Sequence, residues 1–324
     1  MSVKRILVTG GAGFIGSHLT EKLLYDGHRV LVVDNFSAGD PDNIRQLFNR
    51  PGFKLSRADI RDRSAISRAM QNIDVVYHLA AQIHIDRSIM DPVETIDINV
   101  NGTLSVLDAA VQNDVEKVVL ASTSEVYGTA LRAPIDEDHP LNASSPYAAS
   151  KVAADRLAYS YWKTYGLKAY IMRTFNTFGP RQKSSGYGGV ISIFMERVAA
   201  GLPPVIYGDG MQTRDYLYIA DSIEAYSLVL NAPDTVAGQP INIGTGKENT
   251  ILDIALKISK LLGRPDLKPV HIEPRPGEVR RLVASTALAR EKLGFSPHYD
   301  IDRGLAEYLK WFPSHGLRQW AKSG

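Results

Sequence analysis

The chain has 324 residues, of which 44% are hydrophobic and 22% are charged, and this composition predicts a globular protein rather than a disordered one. Its formal net charge of +2 is too small for a general nucleic-acid or membrane surface, so we expect any polyanion to be bound locally. The lack of cysteine excludes disulfides and thiolate chemistry, and the histidines lack metal-ligand spacing, so no metal is predicted. No apolar run is long enough for a signal peptide or a membrane span, which predicts a cytoplasmic protein.

A buried strand at residues 5–9 leads into the glycine-rich turn Gly10–Gly16 and then into a helix that ends near Tyr25. The turn matches both G-x-G-x-x-G and the wider G-x-x-G-x-x-G spacing. Such turns let the backbone approach a pyrophosphate at the positive end of a helix, so the pattern predicts the start of a dinucleotide-binding βαβ unit. The predicted cofactor contacts in this turn are Gly10, Gly13, Phe14, Ile15 and Gly16.

The second predicted strand, residues 29–33, ends in Asp34, about 20 residues beyond the glycines. A carboxylate at this place accepts a hydrogen bond from a ribose 2′-hydroxyl, although a loop or capping aspartate is the alternative interpretation. Asn35, Phe36 and Ser37 follow, and none of them is an arginine that would receive a 2′-phosphate. The pattern therefore favours NAD over NADP.

A third predicted strand closes at residues 59–62, and a fourth covers residues 74–81. The fourth strand ends in Ala80 and Ala81, which are small enough to allow the close approach of a flat cofactor. Tight packing against a neighbouring element explains the same alanines equally well.

The polar loop after the fourth strand contains Ser88, which we expect near the substrate because it follows the carboxyl edge of the sheet. Asp91 caps a predicted helix over residues 92–112, with Glu94 as its partner in a reciprocal capping box. Asn99 lies near the middle of this helix, either as catalytic scaffolding or as a surface residue.

The fifth predicted strand, residues 115–121, is followed by the polar run Ser122–Glu125. Open α/β sheets bind ligands at the carboxyl ends of their strands, so these polar groups are expected to face a crevice. Further along, Ser145 and Pro146 begin a helix as its N-cap and first residue, and Gly166 ends it.

Tyr147 and Lys151 share one face of that helix. A phenol titrates at about pH 10, so it acts as a general base at neutral pH only where a nearby cation stabilises the phenolate, and Lys151 is placed for that. The same spacing recurs at Tyr159 and Lys163, which we interpret as a solvated or interface face. The polar strand end upstream and the glycine turn distinguish Tyr147 as the predicted base.

A strand at residues 168–173 leads to Asn176, and a later one at residues 241–244 is predicted to return to the main sheet. The predicted fold class is α/β, with a Rossmann doubly wound parallel sheet and a smaller, discontinuous C-terminal substrate domain. The expected Rossmann domain comprises residues 1–178, which a segment at about 215–247 rejoins, and the expected second domain comprises residues 179–214 and 248–324.

Three arginines of the second predicted domain, Arg214, Arg280 and Arg281, suit a second diphosphate because planar guanidinium groups pair bidentately with phosphate oxygens. From the residues alone it is equally well supported that these arginines lie on the surface and pair with carboxylates such as Glu278 and Asp215.

With these residues in hand, the chain resembles the extended short-chain dehydrogenase/reductase family of NAD-dependent nucleotide-sugar epimerases, dehydratases and decarboxylases. The likeness runs from Ile6 to about Phe312. Its carriers are Gly10–Gly16, Asp34–Ser37, Asp59–Asp62, His78–Ala81, Thr123, Tyr147 with Lys151, Arg173–Asn176, Arg214–Asp215 and Arg280–Arg281.

The resemblance implies roles for individual residues. It implies that Asp59 and Ile60 flank the adenine, and that Thr123 and Tyr147 meet the sugar 4-hydroxyl. Further residues that it assigns to the cofactor are Asn35, Leu79, Ala80, Ala81, Asn99, Tyr147 and Lys151. Those that it assigns to the nucleotide-diphosphate sugar are Ser88, Asn176, Arg214 and Arg281. It also implies a homodimer formed through the helices that begin at Pro92 and Pro146.

In this family a tyrosinate takes the C4 hydroxyl proton while hydride passes to NAD, and the resulting ketone acidifies the C5 hydrogen. Glu125 suits the removal of that hydrogen, which a 4,6-dehydratase requires and a simple epimerase does not. Many epimerases that this chain resembles carry a small residue at this position, whereas 4,6-dehydratases and glucuronate decarboxylases usually carry glutamate. Thr123, Ser124, Glu125, Tyr147 and Lys151 are therefore the predicted catalytic residues.

The substrate is expected to resemble UDP-N-acetylglucosamine. dTDP-glucose dehydratases place an aspartate before this glutamate, and the chain has Ser124 instead. Thr-Ser-Glu is the pattern of GDP-mannose dehydratases and uronate decarboxylases, and residues 122–130 with 134–137 resemble the N-acetylglucosamine 4,6-dehydratases of legionaminic-acid pathways. A 4,6-dehydratase, a lyase, is therefore ranked first. A C4 epimerase, a UDP-glucuronate decarboxylase and a non-enzymatic NAD-sensing regulator are the alternatives, and the presence of both Tyr147 and Lys151 argues against the regulator.

Overall fold

The computed structural model describes residues 2–184, 189–274 and 278–320, and the side chains of the last helix as far as Phe312. Its strands are β1 (Arg5–Thr9), β2 (Arg29–Asp34), β3 (Phe53–Arg57), β4 (Val75–His78), β5 (Lys117–Thr123), β6 (Ala169–Thr174), β7 (Asn176–Phe178), β8 (Val205–Tyr207), β9 (Thr213–Arg214), β10 (Tyr216–Tyr218), β11 (Pro240–Ile243), β12 (Asn249–Thr250) and β13 (Val270–Ile272). Its helices are α1 (Phe14–Tyr25), α2 (Arg63–Met70), α3 (Ile85–Met90), α4 (Pro92–Ile96), α5 (Gly102–Gln112), α6 (Pro146–Tyr165), α7 (Val190–Ala199), α8 (Ile219–Leu228), α9 (Ile251–Leu261), α10 (Ala287–Leu293) and α11 (Ile301–Trp320).

Within the described ranges, seven parallel strands form the main sheet in the order β11-β6-β5-β4-β1-β2-β3. From β1 the sheet grows through β2 and β3 in one direction, and through β4, β5, β6 and β11 in the other. Ligands of such sheets bind outside the carboxyl ends of the strands where the order reverses, which here lies between β1 and β4. This arrangement confirms the predicted doubly wound Rossmann fold.

Helices cover both faces of this sheet, because parallel strands bury both of their surfaces. Leu7 and Val8 are neighbours on β1 and point to opposite sides. Val8 packs with Leu19 of α1 and Ile223 of α8, whereas Leu7 packs with Val106 of α5. The alternation places one apolar core on each side of the sheet and leaves its carboxyl edge open.

Helix α6, which carries Tyr147, begins and ends where the sequence predicts. The Ser145 hydroxyl accepts a hydrogen bond from the Ala148 backbone N–H at 3.1 Å, and Pro146 is the first helical residue. Gly166 ends the helix with a φ of 72°, a left-handed conformation that favours glycine. The helix packs along β5 and β6, so its first turns lie beside the carboxyl end of β5.

The helix predicted over residues 92–112 is divided in the structure. A π-helical turn, Asp97–Asn101, separates α4 from α5. At the start of α5, a Cβ on Gly102 would lie 2.5 Å from the Ile60 side chain. This close approach to the loop after β3 is a tertiary constraint, which the helical periodicity of the segment does not reveal.

The predicted capping box at the start of α4 is half formed. The Asp91 carboxylate accepts a hydrogen bond from the Glu94 backbone N–H at 2.9 Å, as expected of an N-cap. The prediction of a reciprocal bond from Glu94 is wrong, because the Glu94 carboxylate pairs instead with Arg87 at 2.5 Å.

The C-terminal half contributes one strand to the main sheet. Strand β11 pairs with β6, with Ile241 beside Met172, which confirms that this segment returns to the sheet. Outside the main sheet, β7 pairs with β10, β9 with β12 and β8 with β13. The domain boundaries stay a prediction. None of the described helices is long and apolar enough to cross a lipid bilayer.

Candidate active site

A cleft of about 910 Å³ opens at the carboxyl edge of the main sheet. It extends from the glycine turn past the end of β5 to Arg214, a size that suits an extended ligand. The predicted site residues that line it are Gly10, Gly13, Phe14, Ile15, Gly16, Asp34, Asn35, Asp59, Ile60, Leu79, Ala80, Ala81, Thr123, Ser124, Glu125, Tyr147, Lys151, Asn176 and Arg214. Ser88, Asn99 and Arg281 are not among the residues of its wall.

The glycine turn fits a dinucleotide pyrophosphate. Gly10 has a φ of 71°, and a Cβ on it would lie 2.7 Å from the Ala80 backbone nitrogen. A Cβ on Gly16 would overlap the Gly10 carbonyl oxygen. Side chains larger than hydrogen would therefore push the turn away from β4. Helix α1 begins at this turn, and its first N–H groups supply the positive end that favours a phosphate.

Asp34 is fixed at the end of β2 by two backbone N–H groups. Its Oδ2 accepts from Ala12 at 2.9 Å and its Oδ1 accepts from Phe36 at 2.8 Å. Burial raises the pKa of Asp34, and these two hydrogen bonds act in the opposite direction. The carboxylate is thus held rigidly in the wall of the cleft, as hydrogen bonding to a ribose requires.

The Asp59 carboxylate lies on the same side of the cleft. The Asn35 side chain donates to its Oδ2 at 2.9 Å, and Arg61 pairs with it at 2.8 Å. The hydrogen bond from Arg61 lowers the pKa of Asp59 to about 2, so this group is anionic at neutral pH. The glycine turn together with these fixed carboxylates fits NAD.

Tyr147 lies in the first turn of α6, and only 9% of its surface is exposed. Burial raises the pKa of its phenol, and a hydrogen bond from the Thr123 side chain opposes that rise. Lys151 does not donate to this phenol but to the Ala121 carbonyl at 2.6 Å. Burial lowers the pKa of Lys151 to about 8, while the charge of Asp155 raises it.

These contacts add a second group to the predicted base. The sequence predicts that Lys151 stabilises the phenolate of Tyr147, and that role stays a prediction. In the structure a hydrogen bond from Thr123 lowers the pKa of Tyr147, and this pKa is raised overall because burial dehydrates the phenol. The sequence spacing places both side chains on one helix face, and it carries no information about their burial.

Glu125 follows Thr123 in a short 3₁₀ turn, in which the Thr123 hydroxyl accepts from the Glu125 backbone N–H at 3.2 Å. Its half-buried side chain lines the cleft. Burial raises the pKa of this carboxyl group, Arg214 opposes the rise and Glu278 adds to it. A carboxyl group whose pKa is raised towards neutrality can both take up and release a proton. Ser124, its neighbour, is almost fully buried.

Ser88 and Asn99 hold the site together from behind its wall. The Ser88 hydroxyl donates to the Ile85 carbonyl at 2.6 Å and accepts from the Tyr147 backbone N–H at 3.1 Å. The Asn99 side chain accepts from the Gln82 backbone at 2.8 Å and donates to the Ser150 hydroxyl at 2.9 Å. The structure therefore shows both residues as supports of α6, and their predicted contacts with substrate and cofactor stay predictions.

The predicted diphosphate residues are divided between the cleft and its rim. Arg214 is 11% exposed and pairs with Glu278 at 3.3 Å. The Asn176 side-chain oxygen is buried and has no hydrogen-bond partner among the described residues. Arg281, in contrast, is half exposed and pairs with Glu248 at 2.5 Å.

Arg181 is one of the residues that line the cleft and were not predicted from the sequence. Arg181 follows β7 with a φ of 67° and pairs with Glu21 of α1 at 2.6 Å. Its Nη1 is buried and has no hydrogen-bond partner within the described part of the chain. The signal in the sequence is its place in Gly179-Pro180-Arg181, shortly after Asn176 and at the predicted domain boundary.

Outside the cleft, the described residues include one group with metal-ligand geometry, formed by Asp221, Glu224 and His298. The Asp221 carboxylate accepts from the backbone N–H groups of His298 and Tyr299, both at 3.0 Å. Its oxygens are thus already used to anchor the loop before α11.

The cleft thus combines a glycine turn, a fixed carboxylate at the end of β2 and a buried tyrosine and lysine beside β5, which is the geometry expected of a dinucleotide-binding site. A family model described as GDP-mannose 4,6 dehydratase matches residues 7–308. The UDP-glucose 4-epimerase of Mycolicibacterium smegmatis is 39% identical over 95% of this chain and 98% of its own length. The structure of UDP-glucose 4-epimerase from Thermotoga maritima with UDP-glucose has a TM-score of 0.90 at 34% identity and covers 96% of this chain and 99% of that one. The structure of a dTDP-glucose 4,6-dehydratase from Streptomyces venezuelae with NAD bound has a TM-score of 0.91 at 33% identity and covers 98% of each chain.

The chain therefore belongs to the extended short-chain dehydrogenase/reductase family of NAD-dependent nucleotide-sugar epimerases and dehydratases. This finding confirms the resemblance, and it confirms NAD as the cofactor of the family. Epimerases and dehydratases occur at similar identity among the relatives, so the likeness does not separate an isomerase from a lyase.

Proposed function

We propose that the protein is a nucleotide-sugar 4,6-dehydratase that acts on a substrate of the UDP-N-acetylglucosamine type. The observation that carries the proposal is the Glu125 carboxyl group, which lines the cleft two residues after Thr123 and has a raised pKa. Re-reduction of a ketone at C4, as in an epimerase, has no use for such a group. Removal of a proton from C5 followed by loss of the C6 hydroxyl needs a group of this kind.

Tyr147 and Thr123 act first in the proposed reaction. Their hydrogen-bonded side chains receive the sugar 4-hydroxyl, and the phenolate form of Tyr147 accepts its proton. NAD, when bound, supplies the acceptor for hydride from C4 and the donor that returns it. Lys151 holds positive charge one turn along α6 and so favours the phenolate.

Glu125 acts next, on the 4-keto sugar. Its carboxylate takes the C5 proton, which the neighbouring ketone acidifies, and the protonated carboxyl group then gives a proton to the departing C6 hydroxyl. Water leaves, and C5 regains a proton that balances the one Tyr147 took from the 4-hydroxyl. The bound NAD would supply the hydride that replaces the lost hydroxyl at C6, so the overall change is the loss of one water molecule. The dry surroundings that raise the pKa of Glu125 favour both of its proton transfers at neutral pH.

We further propose that Asn176 and Arg214 hold the substrate diphosphate in the cleft, and that Arg281 joins them by leaving Glu248. Arg214 already lines the cleft, and its partner Glu278 occupies the place that a phosphate would take. The UDP-N-acetylglucosamine type of sugar rests on the resemblance in residues 122–130 and 134–137.

We also propose a homodimer through α4 and α6. Val93 and Ile96 on α4 are 77% and 40% exposed, and Tyr159 on α6 is 38% exposed, which is a large apolar exposure for one side of a molecule. Light scattering tests this proposal, and the doubled mass is the expected result.

The reaction is tested by incubating the protein with a panel of UDP-, GDP- and dTDP-sugars and following the product mass. Loss of water supports the dehydratase, loss of carbon dioxide indicates a decarboxylase, and an unchanged mass with altered stereochemistry indicates an epimerase. Stoichiometric consumption of added NAD would instead indicate a net oxidoreductase.

The variant Glu125→Gln keeps the shape of the side chain and removes its base. It is expected to form NADH absorbance with substrate and then stall before product, with a barrier raised by about 3 kcal/mol or more. Solvent deuterium enters C5 in the wild type only. Glu137→Gln is the matched control, because Glu137 has a pKa that burial raises and lies outside the cleft. Normal turnover of Glu125→Gln without deuterium incorporation would establish the epimerase.

A further inference from the structure

Asp155 is a buried carboxylate outside the wall of the cleft. It lies on α6 one helical turn beyond Lys151, so the two residues share a helix face. Its Oδ2 pairs with the Arg173 Nε at 2.8 Å, and the two side chains are 0% and 2% exposed. Its Oδ1 is buried and has no hydrogen-bond partner among the residues that the structure describes. Buried ion pairs contribute little net stability, so a second role is expected for this one.

Arg173 is itself fixed, which keeps Asp155 in place. Its Nη1 donates to the Tyr127 hydroxyl at 2.8 Å, and its guanidinium carbon lies 4.9 Å from the centre of the Tyr127 ring. The Tyr127 hydroxyl donates in turn to the Asn242 side chain on β11 at 2.7 Å. The carboxylate is therefore clamped by three elements and is not free to turn away from α6.

The charge of Asp155 acts on both members of the tyrosine and lysine pair. Burial lowers the pKa of Lys151 to about 8, and Asp155 opposes that change. Burial raises the pKa of Tyr147, Thr123 opposes the rise, and Asp155 adds to it. The other charged or titratable groups that face this cluster are Glu125 after β5, Tyr226 on α8, His78 on β4, and Tyr127, Arg173 and Glu137 around Asp155.

We propose that Asp155 is a positioning residue whose clamped, dehydrated charge keeps the Lys151 side chain cationic and therefore held on the Ala121 carbonyl beside Tyr147. The contact with Ala121 is 2.6 Å long, as expected of a charged donor. A neutral amine in the same buried place would donate more weakly and would stabilise the phenolate less. The inference rests on the proton transfer from C4 to Tyr147, which the proposed dehydratase shares with the epimerase and the decarboxylase.

The test is the variant Asp155→Asn, followed by two pH titrations. The first is the pH profile of turnover on whichever nucleotide sugar of the panel is accepted. The second is the tyrosinate absorbance with NAD added, taken as the difference between each protein and its Tyr147→Phe counterpart. The second titration needs no substrate, so it tests whether the charge of Asp155 reaches the tyrosine and lysine pair even if every proposed substrate fails.

Both titrations are expected to move towards acid by about one pH unit. Loss of a negative charge favours the phenolate, so the Tyr147 midpoint falls. The same loss disfavours the ammonium, so the alkaline limb of turnover, which needs Lys151 cationic, falls as well. Asp155→Glu keeps the charge and is expected to leave both near their wild-type positions.

Asp221→Asn is the control, because Asp221 is an equally buried aspartate that anchors the loop before α11 and does not line the cleft. It is expected to lower stability and to move neither titration.

If Asp155→Asn does not fold, the double variant Asp155→Asn/Arg173→Gln, which leaves no unpaired buried charge, is titrated in its place. Both of its titrations are expected to shift less and in the same direction, because Asp155, and not Arg173, is among the charges that act on the pKa values of Tyr147 and Lys151. Turnover that falls equally at every pH, with the Tyr147 midpoint unmoved, would overturn the proposal and leave Asp155 as packing.

Discussion

The cofactor side and the diphosphate side of the cleft are built by different means. On the cofactor side, backbone groups fix the key atoms, as the Ala12 and Phe36 N–H groups fix the Asp34 carboxylate. On the diphosphate side, Arg214 and Arg281 are held by the carboxylates of Glu278 and Glu248. The first side is preformed, whereas on the proposed diphosphate side each arginine would exchange one anionic partner for another. Affinity is therefore expected to respond to backbone changes on one side and to charge changes on the other.

The largest effect is expected at Tyr147, where the two sides meet. Tyr147→Phe should lose at least about a hundredfold in turnover, because the C4 proton has no acceptor, while bound NAD and the fold remain. Steady-state kinetics, NAD content and circular dichroism measure the three quantities. Tyr159→Phe is the matched control, with the same spacing to a lysine on the same helix and 38% exposure. Near-normal turnover of Tyr147→Phe would place the base elsewhere.

A smaller effect is expected at Arg214, which tests the diphosphate side. Arg214→Gln should weaken binding of UDP, GDP and dTDP alike by about 2 kcal/mol, roughly thirtyfold, because it removes a charged hydrogen-bond donor to phosphate. Calorimetry measures the affinities. Arg280→Gln is the control, because Arg280 is 56% exposed and pairs with Asp209 away from the cleft. Equal losses of nucleotide affinity in both variants would show that the arginines act through a general positive potential rather than as a specific phosphate site.

On the cofactor side, the wild type should bind NAD at least about tenfold more tightly than NADP, because Asp34 accepts from the ribose 2′-hydroxyl and repels a 2′-phosphate. Asp34→Ala should reduce the ratio between the NAD and NADP affinities. The control Asp26→Ala, which lies on the surface at the end of α1, should leave this ratio unchanged. Calorimetric titration with both cofactors measures the affinities. Equal wild-type affinities would contradict the assignment of Asp34.

The smallest effect is expected from Glu278→Gln, which removes the anion that competes for Arg214. Nucleotide affinity should rise by about 0.5 kcal/mol, roughly twofold, because the pair is partly exposed. Calorimetry at low and high salt measures the nucleotide affinities of the variant and the wild type. The difference between them should shrink at high salt, because salt screens the competing charge. A fall in affinity would mean that Glu278 contacts the nucleotide itself.

The cofactor side could be predicted from sequence because its signals are local. The glycine turn, the strand that ends in Asp34 and the cap at Ser145 each lie within a few residues, and each occurs in the structure as predicted. The doubly wound sheet follows from the same alternation of strands and helices. The distant strand β11 was also predicted, and its residues 241–243 are buried.

The remaining features depend on contacts between distant segments, which spacing does not encode. Ser88 and Asn99 have the polarity expected of ligand contacts, and only their partners Tyr147 and Ser150 reveal them as supports. The close approach of Gly102 to Ile60 is likewise a contact between segments distant in sequence. The raised pKa of Tyr147 follows from burial, which the pattern Tyr-x-x-x-Lys leaves open.

The position of β11 beside β6 has a consequence for biosynthesis. The main sheet cannot be completed until the ribosome has released the chain beyond Ile243, although the other six strands are made earlier. Until then β6 is an edge with unpaired backbone groups, which is a surface open to wrong pairing with another chain. The N-terminal segment 1–178 is therefore expected to aggregate when it is expressed alone, and an excised dinucleotide-binding unit would need residues 240–243 joined to it.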